Sequence, residues 1–161
     1  MNIKEEINIM LLGLDCGLLD STDILNWIEN CLKDDKDIPD VIYDIPFVKS
    51  HKIADIKSIL FEACNWKVSV NSIHCISGLT YIKLENNNID IDKSLTIVYN
   101  LLLKNNLYDI NEQMQNKIMY FSDGYCLATS SIYGNVESIS NEFKLWLRSY
   151  ELYSLKFRNL I

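Results

Sequence analysis

The sequence concentrates carboxylates, which can transfer protons, bind metals or attract a cationic partner, in one stretch. Eight acidic residues lie from Asp20 to Asp44 against two lysines, Lys33 and Lys36, so this stretch carries a net charge of −6. The other residues hold 14 acids and 13 bases, a net charge of −1. The pattern is typical either of a solvated surface or of a docking surface that attracts a cationic protein over a Debye length of about 8 Å.

Two of the eight acids have a predicted local role. Asp20 is placed to cap the N-terminus of a helix, with Asp23 three positions further on. The remaining six are the candidate partner-binding residues, namely Glu29, Asp34, Asp35, Asp37, Asp40 and Asp44.

Catalytic patterns are weak in this chain. Acid pairs such as Glu5-Glu6 could serve general acid-base chemistry, but acid pairs on polar helix faces are usually only solvated. The stretch "SDGYC" offers Cys126 as a nucleophile, yet the strand-turn-helix setting of a nucleophile elbow is missing and both histidines lie far away in sequence. We predict no catalytic residue and expect Cys126 to pack inside the protein.

Metal and cofactor motifs are equally weak. His74 and Cys75 are neighbours, but adjacent helical residues diverge by about 100° and no second ligand pair follows at zinc spacing. The sequence has no GxGxxG or GxxxxGK[ST] loop for phosphates. We therefore predict no metal site and no cofactor.

The overall charge and the cysteines predict the compartment and exclude some partners. A net charge of −7 repels nucleic acid and anionic membrane surfaces. The amino terminus "MNIKEEINIM" lacks the basic region of a secretory signal, and apolar runs are far shorter than the roughly 20 residues of a membrane span. Five cysteines without a CxxC pair are typical of reduced thiols. We expect a soluble, cytoplasmic protein with no nucleic-acid or membrane partner.

The elements that position these residues are predicted to be helices. With five glycines and two prolines the chain is poor in turn residues, and its apolar periodicity is helical in nearly every window. We predict an all-α fold, a single domain over residues 1–161 with six or seven helices arranged largely as antiparallel hairpins. Besides the helix capped by Asp20 and a short turn opened by Pro39, helices are expected over residues 3–16, 51–65, 71–84, 93–104, 111–133 and 136–157. The helix over 93–104 is expected to be central, with Asp92 as its cap, and the alternating "WKVSV" is not expected to form a strand because it has no pairing mate.

Two stretches resemble a known family. "LLGLDCGLLDSTDILNWIENCL" resembles the first helical hairpin, and "YCLATSSIYGNVESISNEFKLWLRSY" the closing helix pair, of small all-helical bacterial proteins in the polymorphic-toxin immunity class. The resemblance implies a stoichiometric activity, in which the protein binds a toxin domain and masks it without cofactor or turnover.

The leading hypothesis from the sequence is therefore a cytoplasmic protein that neutralises a cationic toxin, such as a nuclease, through its acidic surface. Two alternatives stay open. One is a small helical enzyme, hydrolase-like, that uses an acid pair or Cys126, and the other is a helical adaptor without a toxin partner.

Overall fold

Every regular element in the computed structural model, which describes residues 2–48, 52–64, 69–104 and 110–160, is helical. The all-α prediction is confirmed. The predicted number of six or seven helices and their hairpin arrangement are not, since the described residues form seven α-helices of eleven residues or more, one single-turn α-helix and two 3-10 helices. The α-helices are α1 (Ile3–Cys16), α2 (Ser21–Lys33), α3 (Ile53–Ala63), α4 (Val70–Glu85), α5 (Ile91–Lys104), α6 (Glu112–Thr129), α7 (Val136–Arg148) and α8 (Glu151–Ser154). The first 3-10 helix spans Asp40–Phe47 and the C-terminal one Leu155–Leu160.

Apolar side chains from the seven longer α-helices and from both 3-10 helices form one buried cluster. Burial of such side chains is the main favourable contribution to the free energy of folding. In the part of the chain that the structure describes, no helix is both long and apolar enough to cross a lipid bilayer.

Four helices end in the same way, with one residue in the left-handed conformation. That residue is Gly17 after α1 (φ 79°), Asp35 after α2 (φ 50°), Asn87 after α4 (φ 57°) and Ser131 after α6 (φ 58°). In each case the next residue donates its N–H to a carbonyl five positions back, as in the Schellman motif. The chain can therefore turn with few glycines, because polar residues take the left-handed position at three of these four ends.

Several predicted boundaries are corrected. α5 begins earlier than expected and is capped by Asp90, whose Oδ1 accepts the N–H of Lys93 at 2.8 Å, so Asp92 is not the cap. α6 stops at Thr129, not at residue 133, because of the left-handed turn at Ser131. Residues 51 and 65 of the predicted third helix and 66–68 of "WKVSV" lie outside the described residues, while Ser69 caps α4.

The predicted closing helix over 136–157 is broken. The hydroxyl of Ser149 donates to the Trp146 carbonyl at 2.6 Å, and the Tyr150 N–H donates to the Leu147 carbonyl three residues back, so α7 ends at Arg148 and a separate helix, α8, begins at Glu151. α8 then packs against α4. Gly78 permits this close approach, since a Cβ there would lie 2.7 Å from the Ser154 hydroxyl oxygen.

The central helix is α4, not the predicted α5. α4 packs against α1, α5, α7 and α8. Its buried hydroxyls are satisfied within the helix, since Ser77 donates to the Ile73 carbonyl at 3.0 Å and Thr80 to the Ile76 carbonyl at 2.8 Å. These small polar residues hid the burial of α4 from the sequence pattern, because their presence suggested a solvent-facing side.

Candidate protein-binding surface

The six predicted partner-binding carboxylates lie at and beyond the C-terminal end of α2. Glu29 is on α2, three aspartates are in the turn that follows, and two are on the first 3-10 helix, which packs against α2. All six side chains are exposed. We call this set the acidic surface: Glu29, Asp34, Asp35, Asp37, Asp40 and Asp44.

The two acids at the other end of α2 are occupied locally, as predicted. Asp20 accepts the N–H groups of Thr22 at 2.7 Å and Asp23 at 3.0 Å, and Asp23 in turn accepts the N–H of Asp20 at 3.0 Å, which forms a capping box. Asp23 also pairs with the Lys83 ammonium at 3.0 Å, and both side chains are mostly buried. The partner on α4, 60 residues away, was not foreseen from the sequence.

The turn after α2 orients the middle of the acidic surface. The N–H of Asp35 donates to the Leu32 carbonyl at 3.2 Å, and the N–H of Lys36 donates to the Cys31 carbonyl at 2.9 Å. These bonds close the helix end through its backbone alone and leave the carboxylates of Asp34 and Asp35 in solvent.

The two lysines of the stretch have acidic partners. Lys33 pairs with Glu29 at 3.6 Å, an exposed pair that contributes little to stability. Lys36 pairs with Glu6 of α1 at 3.0 Å. Burial would lower the pKa of Lys36, but the hydrogen bond and the charge of Glu6 outweigh it, and the pKa of Lys36 is raised.

The rest of the acidic surface forms no ion pair. Among the residues that the structure describes, no lysine or arginine lies within ion-pair distance of five of its six carboxylates, which are Asp34, Asp35, Asp37, Asp40 and Asp44. Asp34 is still partly compensated, because its charge interacts with that of Lys36 and helps to raise the Lys36 pKa. The charges of Asp35, Asp37, Asp40 and Asp44 act outwards.

Exposed apolar side chains lie on the same two helices as part of the acidic surface, and the sequence pattern did not predict them. Leu32 is 51% exposed, Tyr43 40% and Phe47 84%. The spacing of three between Ile42 and Ile45 could have predicted the exposure of the two aromatic residues. Both isoleucines are buried in the first 3-10 helix, so Tyr43 and Phe47 lie on its other sides. Exposed aromatic residues are enriched at the centres of protein interfaces, where they contribute much of the binding energy.

Cys126 does not pack as expected, because its side chain is exposed. It lines a cavity of about 390 Å³ between α5 and α6, together with Asp92, Tyr99 and Tyr125. The other four cysteines are buried. His74 does not reach this cavity, since its ring lies between those of Tyr150 and Tyr153, with centroid distances of 4.9 and 4.8 Å. The geometry thus supplies no histidine base for Cys126 within the described residues.

A second concave region lies between α6 and α7. Its volume is about 620 Å³, and its lining combines Trp146 and Tyr150 with Lys117 and Glu142. The Tyr120 hydroxyl donates to Glu142 at 3.2 Å across the two helices. Over residues 2–48, 52–64, 69–104 and 110–160, no three potential ligands among histidine, cysteine and carboxylate side chains converge on a metal-sized site.

No protein-family model, no curated protein and no solved structure matches this chain.

Proposed function

We propose that this chain binds a cationic protein in a stoichiometric complex and masks its working surface, as the resemblance to toxin-immunity proteins implies. The observation that carries the proposal is the acidic surface, in which five exposed carboxylates form no ion pair within the described residues. A nuclease is the preferred partner class, because the groove of a nuclease must attract phosphates with lysine and arginine side chains.

The proposed mechanism has two steps, association with the partner and its retention in the complex. The acidic surface would raise the rate of encounter with a cationic groove and place carboxylates where phosphates otherwise bind. The exposed side chains of Tyr43, Phe47 and Leu32 would then be desolvated against the partner and slow its release. Neither step needs a cofactor or turnover.

The proposal includes two finer expectations. The chain would act in the cytoplasm, where a nuclease toxin meets its substrate, and its helices would serve as a rigid bundle of antiparallel hairpins that presents the surface. An interface of standard size buries about 1,600 Å² in total. The acidic surface would form one part of such an area.

The test uses the product of a toxin gene adjacent to the gene for this chain. Titration of the purified toxin domain with the purified chain should show a one-to-one complex and a loss of toxin activity in proportion to the bound fraction. Co-expression should restore growth of cells that carry the toxin.

Each alternative function has its own outcome in this test. Binding without loss of toxin activity would contradict the proposal and favour an adaptor. Turnover of a hydrolase substrate that stops when Cys126 is alkylated would contradict it in favour of an enzyme.

A further inference from the structure

Glu6 on α1 stands apart from the other charged residues that the structure describes. It is the one charged side chain in the buried class, with 7% exposure, while the other buried polar residues are hydroxyl-bearing. A carboxylate taken out of water is costly unless it is paired and hydrogen-bonded. Its partners therefore indicate what this burial achieves.

Both carboxylate oxygens of Glu6 are engaged from the α2 side of the molecule. The Trp27 indole N–H donates to Oε2 at 3.3 Å. The Lys36 ammonium donates to Oε2 at 3.0 Å and to Oε1 at 3.3 Å. Glu6 thus holds the cation of a residue that lies, in sequence, between Asp35 and Asp37 of the acidic surface.

We infer that Glu6 is a positioning residue that draws the Lys36 charge inwards and so keeps it from neutralising the acidic surface. The backbone of Lys36 is held at the end of α2 by its bond to the Cys31 carbonyl, so its side chain alone decides where the ammonium lies. With Glu6 present, the ammonium contacts a buried carboxylate, while the Lys36 side chain remains 38% exposed and its charge still acts on Asp34. Without it, the ammonium would lie among the aspartates on either side.

The biological meaning of this inference rests on the proposed function, but its physical content does not. A unit charge at about 8 Å in water changes the local concentration of a small ion by about twofold, less with added salt. The effect can therefore be measured with small charged probes and without the protein partner.

The experiment compares paramagnetic relaxation at the backbone amides of residues 34–38 and 40–44 caused by a cationic and an anionic nitroxide of similar shape. In the wild-type protein the ratio of cationic to anionic relaxation should exceed one. Glu6→Gln, which keeps an acceptor for Trp27, should lower the ratio by about twofold. The double variant Glu6→Gln with Lys36→Met should restore it, because the released cation is gone.

Glu5→Gln is the matched control, since it removes one charge from the neighbouring position of the same helix. The Glu5 side chain is not an ion-pair partner of Lys36, and its variant should leave the ratio close to the wild-type value. An unchanged ratio in Glu6→Gln would overturn the inference, as would a double variant that fails to restore it.

A second measurement needs no variant and keeps the inference testable if Glu6→Gln fails to fold. Trace acylation of the native protein, read by mass spectrometry, compares Lys36 with Lys33, whose side chain is 70% exposed. Lys36 should react about fivefold more slowly. Equal rates would overturn the inference, and neither measurement depends on whether a toxin partner exists.

Discussion

Both ends of α2 carry acidic residues, but the residues have different partners at the two ends. At the N-terminal end, Asp20 and Asp23 accept backbone N–H groups, and Asp23 also pairs with Lys83 at 3.0 Å. At the C-terminal end, Asp34 and Asp35 accept neither a cap bond nor an ion pair within the described residues, since the helix is closed by its backbone.

This difference shows that the net charge of a stretch does not determine how many of its charges can attract a partner. A capping carboxylate complements the positive end of the helix dipole, so part of its field is cancelled locally. A carboxylate beyond the C-terminal end meets the negative end of the dipole and is not cancelled. The net charge of the stretch therefore does not show that its N-terminal carboxylates are partly neutralised while its C-terminal ones are not.

The largest effect that we predict is a difference in stability between variants at the two ends of α2. Asp23→Ala should lower the free energy of unfolding by about 2 to 4 kcal/mol, because it removes a cap bond and leaves the mostly buried Lys83 ammonium with only the Leu18 carbonyl as acceptor. Asp37→Ala should change it by less than about 0.5 kcal/mol. Denaturant unfolding at neutral pH measures both.

Adding Lys83→Met to Asp23→Ala should recover part of the loss, since the ammonium that lost its carboxylate is then removed. Equal losses for Asp23→Ala and Asp37→Ala would show that the two ends are not different.

The buried face of α2 between these ends gives a pH-dependent prediction. Burial raises the pKa of the Cys31 thiol from 9.0 to about 11, although nearby Lys36 lowers it. Because the folded pKa is raised, the stability contribution is complete below pH 9 and is lost as pH rises through about 11. The wild type should lose about 1 to 2 kcal/mol more than Cys31→Ala between about pH 8 and about pH 10.5. Unfolding curves across this range measure the loss.

Cys126→Ala is the control, because its thiol is exposed. It should keep the wild-type pH dependence, and a Cys31→Ala protein with that same dependence would refute the assignment.

Local patterns in the sequence predicted one end of α2 better than the other. The bounds of α1 and the pairing of Asp20 with Asp23 follow from residues three or four positions apart, which the chain displays directly. Lys83 and Glu6 lie 60 and 30 residues from their partners, and no periodicity connects them. The end of α7 near Ser149 was not predicted for the same reason, because α8 packs against α4, which is far away in the sequence.

The exposure of the apolar residues was not predicted for a different reason. Helical periodicity assigns large apolar side chains to a core, and the 3-10 helix turns every three residues instead. Phe47 thus lies outside the side that buries Ile42 and Ile45.

A smaller effect tests the turn at the C-terminal end. Asp35 holds a left-handed conformation at φ 50°, which glycine adopts more easily. Asp35→Gly should raise the free energy of unfolding by about 0.5 kcal/mol. Gly17→Ala, at the equivalent position after α1 with φ 79°, should lower it by about 1 kcal/mol. Thermal or denaturant unfolding measures both, and a destabilised Asp35→Gly protein would show that the Asp35 carboxylate has a structural partner.

The central claim, that the acidic surface and not the overall charge attracts a cationic protein, is tested most directly by association rates. The test variant changes Asp34, Asp37 and Asp40 to asparagine, and the matched control changes Glu85 to glutamine and Asp92 and Asp123 to asparagine. Both remove three negative charges at exposed positions. Stopped-flow association with the toxin domain at low salt should slow by about three- to tenfold for the test variant, with a weaker salt dependence, and by less than about twofold for the control. Equal rates for the two variants would contradict the claim.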